Sequence, residues 1–189
     1  MRRRNRKVLP FRPRPKWPLR SVPVAAVLLA LALVAWVAFE AGLIQRYVMF
    51  SSPAFIGTAT LVDGDTIKIR GNRIRLFGID APERRQICIN DAGDTYRCGQ
   101  VATEALRRKI GGRLVSCDHR GTDRYGRAIS KCWVDDNSLN SWLVSQGLAV
   151  AYTRYSVRYL PEEAYARVMG RGLWSGEFDR PTDWRKQNR

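Results

Sequence analysis

Within twenty-one residues the chain carries Asp63-Gly64-Asp65-Thr66 and then Arg75-Leu76-Phe77-Gly78-Ile79-Asp80-Ala81-Pro82-Glu83. Three aspartates, a glutamate and a guanidinium are thereby fixed near turns at the ends of apolar runs. Oxygen-rich pairs such as Asp65 and Asp80 are what a hard cation such as Ca²⁺ requires, with backbone carbonyls and water completing its shell. Glu83, held in a non-helical turn by Pro82, suits a base that takes a proton from water. Arg75 stands among Ile74, Leu76, Phe77 and Ile79. A guanidinium on so apolar a strand needs an anion, because burying it unpaired is costly. Either a carboxylate of the chain or a substrate phosphate supplies that anion.

A second word, Asp123-Arg124-Tyr125-Gly126-Arg127, adds Arg127 at the start of another apolar run. Arginine can grip a phosphate through two parallel hydrogen bonds, which lysine cannot copy. Two arginines, two metal-binding carboxylates and a carboxylate base form a full set for phosphodiester cleavage. Tyr125 and Tyr152 could stack on a base or sugar, and Arg124 could extend a nucleic-acid track. Taken alone, each of these words also reads as an ordinary turn or solvated surface.

The elements that must place these groups read as predominantly β. Phe55 to Val62, Thr66 to Arg70 and Arg73 to Ile79 form a meander broken by Asp63-Gly64-Asp65 and Gly71-Asn72. Gly99 to Ile110 is a predicted helix that ends at Gly111-Gly112. Arg113 to Asp118 and Arg127 to Val134 are two further predicted strands. Ser138 to Gln146 and Pro161 to Gly170 are predicted helices. Five strands and three helices fit an α+β domain built on a small closed barrel of the OB type.

Around this domain, over 54–176, lie a basic arm (1–20), a charge-free run (21–39), a linker (40–53) and a tail (177–189). The formal charge of +16 is uneven, with nine Lys and Arg in the first twenty residues. From Ser51 onward there are 23 Lys and Arg against 16 Asp and Glu, so the domain is moderately basic. At ~1.5 Å per residue the charge-free run reaches roughly 28 Å, enough for a bilayer core. The basic arm before it predicts a cytoplasmic N-terminus and an outward-facing domain. A cleaved signal peptide is the competing reading, but Trp36 and Phe39 are too bulky for the cleavage positions they would occupy. Uncleaved, the run anchors the protein in the inner membrane; cleaved, the domain is secreted.

Cys88, Cys98, Cys117 and Cys132 all fall in the part predicted to be exported, and an even number there reads as two disulfides. Three pairings are possible. Cys88–Cys98, closing a short loop, together with Cys117–Cys132, joining neighbouring strands, is favoured. Zinc is disfavoured, because the spacings contain no close cysteine pair and His119 stands alone.

The words Val62-Asp63-Gly64-Asp65-Thr66, Arg75 with Asp80-Ala81-Pro82-Glu83, and Asp123-Arg124-Tyr125-Gly126-Arg127 together resemble the staphylococcal nuclease (thermonuclease) family. Ser145-Gln146-Gly147-Leu148-Ala149 and Gly172-Leu173-Trp174 are similar to its closing helices. The likeness runs from about Phe55 to Trp174. It implies an OB-fold barrel with three helices and Ca²⁺-dependent hydrolysis of DNA and RNA by a monomer with no obligate protein partner. It implies Asp65, Asp80 and the carbonyl of Ala81 as metal ligands, and Glu83 as general base. Arg75 and Arg127 would bind the scissile phosphate, and Tyr125 would lie near the terminal phosphate or sugar. Asp63 would support the turn. The sequence departs from the family pattern at Ala81, at the cysteine-bearing stretch Arg84–Cys98, and at Arg154, where a second aromatic is expected. Anchored, cysteine-bearing members of this kind resemble proteins of Gram-negative bacteria, some named for exopolysaccharide biosynthesis. The alternative is therefore a non-catalytic OB module that holds nucleic acid or an anionic polysaccharide.

Overall fold

The computed structural model describes residues 23–40 and 54–188. The basic arm and linker residues 41–53 lie outside them. The described residues fall into two units, one before and one after Ser51. In the first, helix α1 spans Val24–Glu40, 17 residues without a charge before its last. Among the described residues no helix is long and apolar enough to cross a membrane. The run read from the sequence begins at Ser21, and residues 21 and 22 are not among those described.

The second unit is built on strands β1 (Phe55–Leu61), β2 (Thr66–Ile69), β3 (Asn72–Leu76), β7 (Leu114–Thr122) and β8 (Ala128–Val134). β1 pairs antiparallel with β2 and with β7, β2 with β3, and β7 with β8. A parallel pairing of β3 with β8 closes the ring. The result is the five-stranded barrel expected from the sequence, and closure leaves no free edge. Alternation along β3 explains why it serves both core and site. Ile74 and Leu76 are buried in the barrel, while Arg73 and Arg75 point away from it.

Helix α2 (Cys98–Ile110) packs Leu106 and Ile110 on the barrel, and helix α3 (Leu139–Ser145) packs Leu139 and Leu143. Burying side chains of this size contributes roughly 1.5–3 kcal/mol each. Asn140 of α3 is fully buried; its Oδ1 accepts from Cys132 N–H at 3.0 Å and its Nδ2 donates to Phe77 O at 2.9 Å. That side chain ties the helix to the strands where the barrel closes. Helix α4 (Leu160–Val168) buries Glu163, whose Oε2 accepts from Ala151 N–H at 2.6 Å.

Three boundaries differ by more than two residues from the sequence reading. The third strand stops at Leu76, because Gly78 turns the chain at φ +71°. Ile79–Asp80 then forms a separate strand, β4, paired with the short strand Val150–Ala151. β7 continues to Thr122 through an irregularity between His119 and Gly121. The segment read as a tail contains helix α5, Pro181–Gln187. Both disulfides have the favoured pairing, Cys88–Cys98 and Cys117–Cys132, and the second joins residues in register on β7 and β8.

Candidate active site

The turn between β1 and β2 places Asp65. Asp63 Oδ1 accepts Asp65 N–H at 3.1 Å, so Asp63 shapes the turn, while Thr66 O accepts the N–H groups of Val62 and Asp63. Gly64 is required by closeness: a Cβ there would lie 2.8 Å from Ala81 Cβ. The β2–β3 register sets Thr66 opposite Arg75, next to Asp65. Asp80 is delivered by β4, where Val150 opposes it.

The outcome is a guanidinium shared by two buried carboxylates. Arg75 Nη1 donates to Asp65 Oδ1 at 2.8 Å and Nη2 to Asp80 Oδ1 at 2.9 Å. Asp65 Oδ2 accepts Ala81 N–H at 3.2 Å, and its Oδ1 accepts the Thr66 hydroxyl at 3.0 Å. The anion demanded by Arg75 is thus supplied within the chain, by both candidate metal ligands at once. Burial pushes the Asp65 carboxyl up to about 7; the Arg75 charge opposes this, and Asp63 and Asp80 add to it. Burial alone would lower the Arg75 pKa, but Asp65 and Asp80 hold it above its ordinary value, so the guanidinium stays charged.

Glu83 sits three residues beyond Asp80, its backbone fixed from two sides. Its N–H donates to Gln86 Oε1 at 3.2 Å, and Gln86 is fully buried. The first turn of α2 presses on its carbonyl so closely that a Cβ on Gly99 would lie 2.0 Å from Glu83 O. The Cys88–Cys98 bridge leads directly into that turn. The stretch Arg84–Cys98, which departs from the family pattern, therefore forms a short hairpin, β5 (Cys88–Ile89) with β6 (Thr95–Tyr96), that braces Glu83.

A side chain that the sequence reading passed over completes the cluster. Arg185 of α5 donates through Nη1 to Glu83 Oε1 at 2.8 Å, and through Nη2 to Asp80 Oδ2 at 2.8 Å and Oδ1 at 3.1 Å. Thr182 Oγ1 donates to Asp80 Oδ2 at 2.9 Å. Burial alone would lower the Arg185 pKa, but Asp80 and Glu83 raise it above the ordinary value. Arg185 lies more than a hundred residues from its partners, so no local pattern announced it.

Arg127 stands apart from these carboxylates. Asp123 holds it: Arg127 Nε donates to Oδ2 at 2.8 Å and Arg127 N–H to Oδ1 at 2.9 Å. Burial alone would push the Asp123 carboxyl up, but these bonds and the Tyr125 N–H outweigh it and hold the group below the usual carboxylate range. Arg73, Tyr125 and Arg127 line an open cleft beside the β3–β8 seam, with the Arg124 guanidinium 4.9 Å from the Tyr125 ring. Arg73 was not singled out from the sequence, although it shares the outward side of β3 with Arg75. Tyr152 N–H donates to Gly78 O at 2.9 Å, and its ring meets Tyr155 edge-on at 5.0 Å.

Among the described residues, no three Asp, Glu, His or Cys side chains gather around a common metal position. The candidate donor set is the Asp65–Asp80 pair bridged by Arg75.

Known proteins are similar to this chain in sequence. A family model described as staphylococcal nuclease homologue matches residues 73–176, more than half of the chain. The succinoglycan biosynthesis protein ExoI of Rhizobium meliloti (strain 1021) is 35% identical over 140 residues, covering 72% of this chain and 73% of that protein. An uncharacterized endonuclease of Haemophilus influenzae is 32% identical over 135 residues, covering 67% and 70%. A probable staphylococcal-like nuclease of rice, CAN2, is 32% identical over 130 residues, covering 66% of this chain and 32% of its own length. With the closed barrel and the carboxylate–arginine cluster already in place, these matches establish that the chain belongs to the staphylococcal nuclease family and carries a nuclease-like domain.

Proposed function

We propose that the domain hydrolyses phosphodiester bonds of DNA and/or RNA, with Ca²⁺ as its cofactor. The observation that carries this reading is the Asp65–Arg75–Asp80 bridge with Glu83 beside it. Two buried carboxylates and a neighbouring carbonyl are hard oxygen donors of the kind Ca²⁺ prefers. Three carboxylates, Asp65, Asp80 and Glu83, share two guanidiniums, Arg75 and Arg185, so the cluster is still short of positive charge. The donor set therefore fits the ion, which Asp65, Asp80 and the Ala81 carbonyl would hold. Bound there, Ca²⁺ would supply stabilisation of negative charge on the phosphoryl oxygens.

The chain's own groups do the rest. Arg75 and Arg127 bind the scissile phosphate and hold its oxygens as charge develops. Glu83 orients the attacking water and accepts its proton as the new P–O bond forms; the ester P–O bond breaks and the departing sugar oxygen takes a proton from solvent water. Arg124, Tyr125 and Tyr152 contact the flanking nucleotide by charge and stacking. Under this reading the protein is a monomer, anchored in the inner membrane by residues 21–39 with its domain in the periplasm. The basic arm ahead of the apolar run and the two disulfides support that location.

The test is incubation of the purified full chain with single-stranded DNA and Ca²⁺. Cleavage is expected, with EDTA and Glu83→Gln each abolishing it; a preparation with no such cleavage refutes the proposal. One relative's name favours a second reading, a non-catalytic module for an anionic polysaccharide or nucleic acid that assists exopolysaccharide synthesis. Salt-dependent polyanion binding with no turnover in Ca²⁺ would select it.

A further inference from the structure

The segment after the family match, residues 177–188, does something the nuclease chemistry alone does not call for. Its path is tied down before the last helix begins. Ile89 and Glu177 exchange backbone hydrogen bonds, Asp179 O accepts from Gln86 Nε2 at 2.7 Å, and Arg180 Nη2 donates to Glu163 at 2.9 Å. Helix α5 then presents Thr182 and Arg185, three residues apart, to one target. A carboxylate offers about four acceptor directions. Asp80 Oδ1 receives Arg75 and Arg185, and its Oδ2 receives Arg185 and Thr182. The acceptor capacity of Asp80 is filled, and Arg185 also takes one oxygen of Glu83. A cation cannot ligate Asp80 without removing one of these donors.

Arg75 and Arg185 differ in how readily they can leave. Arg75 sits in the barrel wall on β3, and its second arm is held by Asp65. Arg185 sits on a helix of seven residues whose burial is slight, with Pro181 its one buried residue, and the Arg185 side chain is 30% exposed. The side-chain hydrogen bonds that α5 makes to the rest of the domain, through Thr182 and Arg185, are those a cation would replace. We propose that Arg185 is a built-in counter-ion of the Asp80–Glu83 site, and that Ca²⁺ binds in competition with it as α5 withdraws. This rests on the Ca²⁺ reading above. In the latched state Asp80 is neutralised by two guanidiniums and Oε1 of Glu83 is held by Arg185. Loading the metal releases both groups together, so metal uptake and base activation are one event.

Calorimetric titration of the full chain with Ca²⁺ alone, without nucleic acid, tests this. Arg185→Ala is expected to bind Ca²⁺ at least tenfold more tightly than wild type, with Arg185→Lys in between, since one ammonium cannot span both carboxylates. Amide hydrogen exchange of the unmodified protein gives a second readout that does not depend on a variant folding. Saturating Ca²⁺ should speed exchange severalfold across residues 182–187 and leave the barrel strands unchanged. Equal Ca²⁺ affinity in wild type and Arg185→Ala, or unaltered exchange in α5, overturns the latch while leaving the metal site intact. Absence of Ca²⁺ binding in wild type and variants alike overturns the metal reading together with the latch.

Discussion

Two arginines at the site are fixed by carboxylates of the chain itself, and this decides how they should respond to substitution. Arg75 spans Asp65 and Asp80 with separate nitrogens, and Arg127 uses its backbone and side chain on the two oxygens of Asp123. Arg75→Lys and Arg127→Lys keep the charge and lose the fork. Each should reduce kcat for single-stranded DNA roughly 100-fold or more, the usual cost of losing a donor to a developing charge. Near-wild-type rates in both would remove the phosphate-gripping role. Asp123→Asn tests the support of Arg127 through pH. The folded-state pKa of Asp123 is depressed, so its stabilisation is present above the unfolded value near 3.8 and is lost as pH falls through the lower folded value. The variant should be less stable than wild type at pH 7 by about 1–2 kcal/mol, the scale of a charged hydrogen bond. That gap should close as denaturation is followed below about pH 4, and a gap independent of pH would contradict the assignment. At this scale the sequence was legible where short words force a turn. Asp65, Arg75 and Asp80 meet in one salt-bridged cluster, and Glu83 joins it through Arg185. Arg185 was not legible, because surface arginines in a charged segment look alike until tertiary structure selects one.

Elements carry the same lesson through their ends. Strands with clean alternation, such as β1 and β3, could be read from period alone. The points where the reading slipped are those at which a partner distant in sequence sets the boundary. Asp80 belongs to its own strand because Val150 pairs with it, and α5 is a helix despite its shortness because Asp80 and Glu83 hold Thr182 and Arg185. Helix α2 matters through one glycine at its start. A methyl group on Gly99 would sit 2.0 Å from the Glu83 carbonyl oxygen, and backbone cannot yield as a side chain tip can. Gly99→Ala should therefore destabilise the domain by about 1–3 kcal/mol, as other overpacked contacts do. It should also displace Glu83 and depress kcat more than KM. Thermal denaturation together with steady-state kinetics separates this from a surface effect; unchanged Tm and kcat would show that α2 does not brace the base.

At the scale of the molecule, composition and cross-links decide where this chemistry can take place. The chain's charge is concentrated ahead of the apolar run, and the domain itself is only moderately basic. Substrate steering must therefore come from local features such as Arg73, Arg124 and Arg127 more than from net charge. The two disulfides stabilise different parts of the domain. Cys117–Cys132 joins adjacent barrel strands with both residues fully buried, and Cys88–Cys98 braces the loop behind Glu83. Loops of these lengths, 15 and 10 residues apart in sequence, are worth roughly 3 kcal/mol each by the chain-entropy estimate. A barrel of this size has a total stability of only about 5–15 kcal/mol, so losing both bridges would remove a large share of it. Such bridges persist in an oxidising compartment, which is where the proposed export would put the domain. Protein recovered from intact cells with thiols blocked at lysis should contain both bridges and no free thiol on non-reducing peptide mapping. Reduction should lower its Tm by ten degrees or more, given a few degrees per kcal/mol. Glu83 should lose its bracing in step with the Cys88–Cys98 bridge, so Cys88→Ser with Cys98→Ser should cut activity more than Cys117→Ser with Cys132→Ser at temperatures where both variants remain folded. Four free thiols in cell-derived protein would contradict export, and equal activity losses in the two variants would separate the hairpin from the catalytic centre.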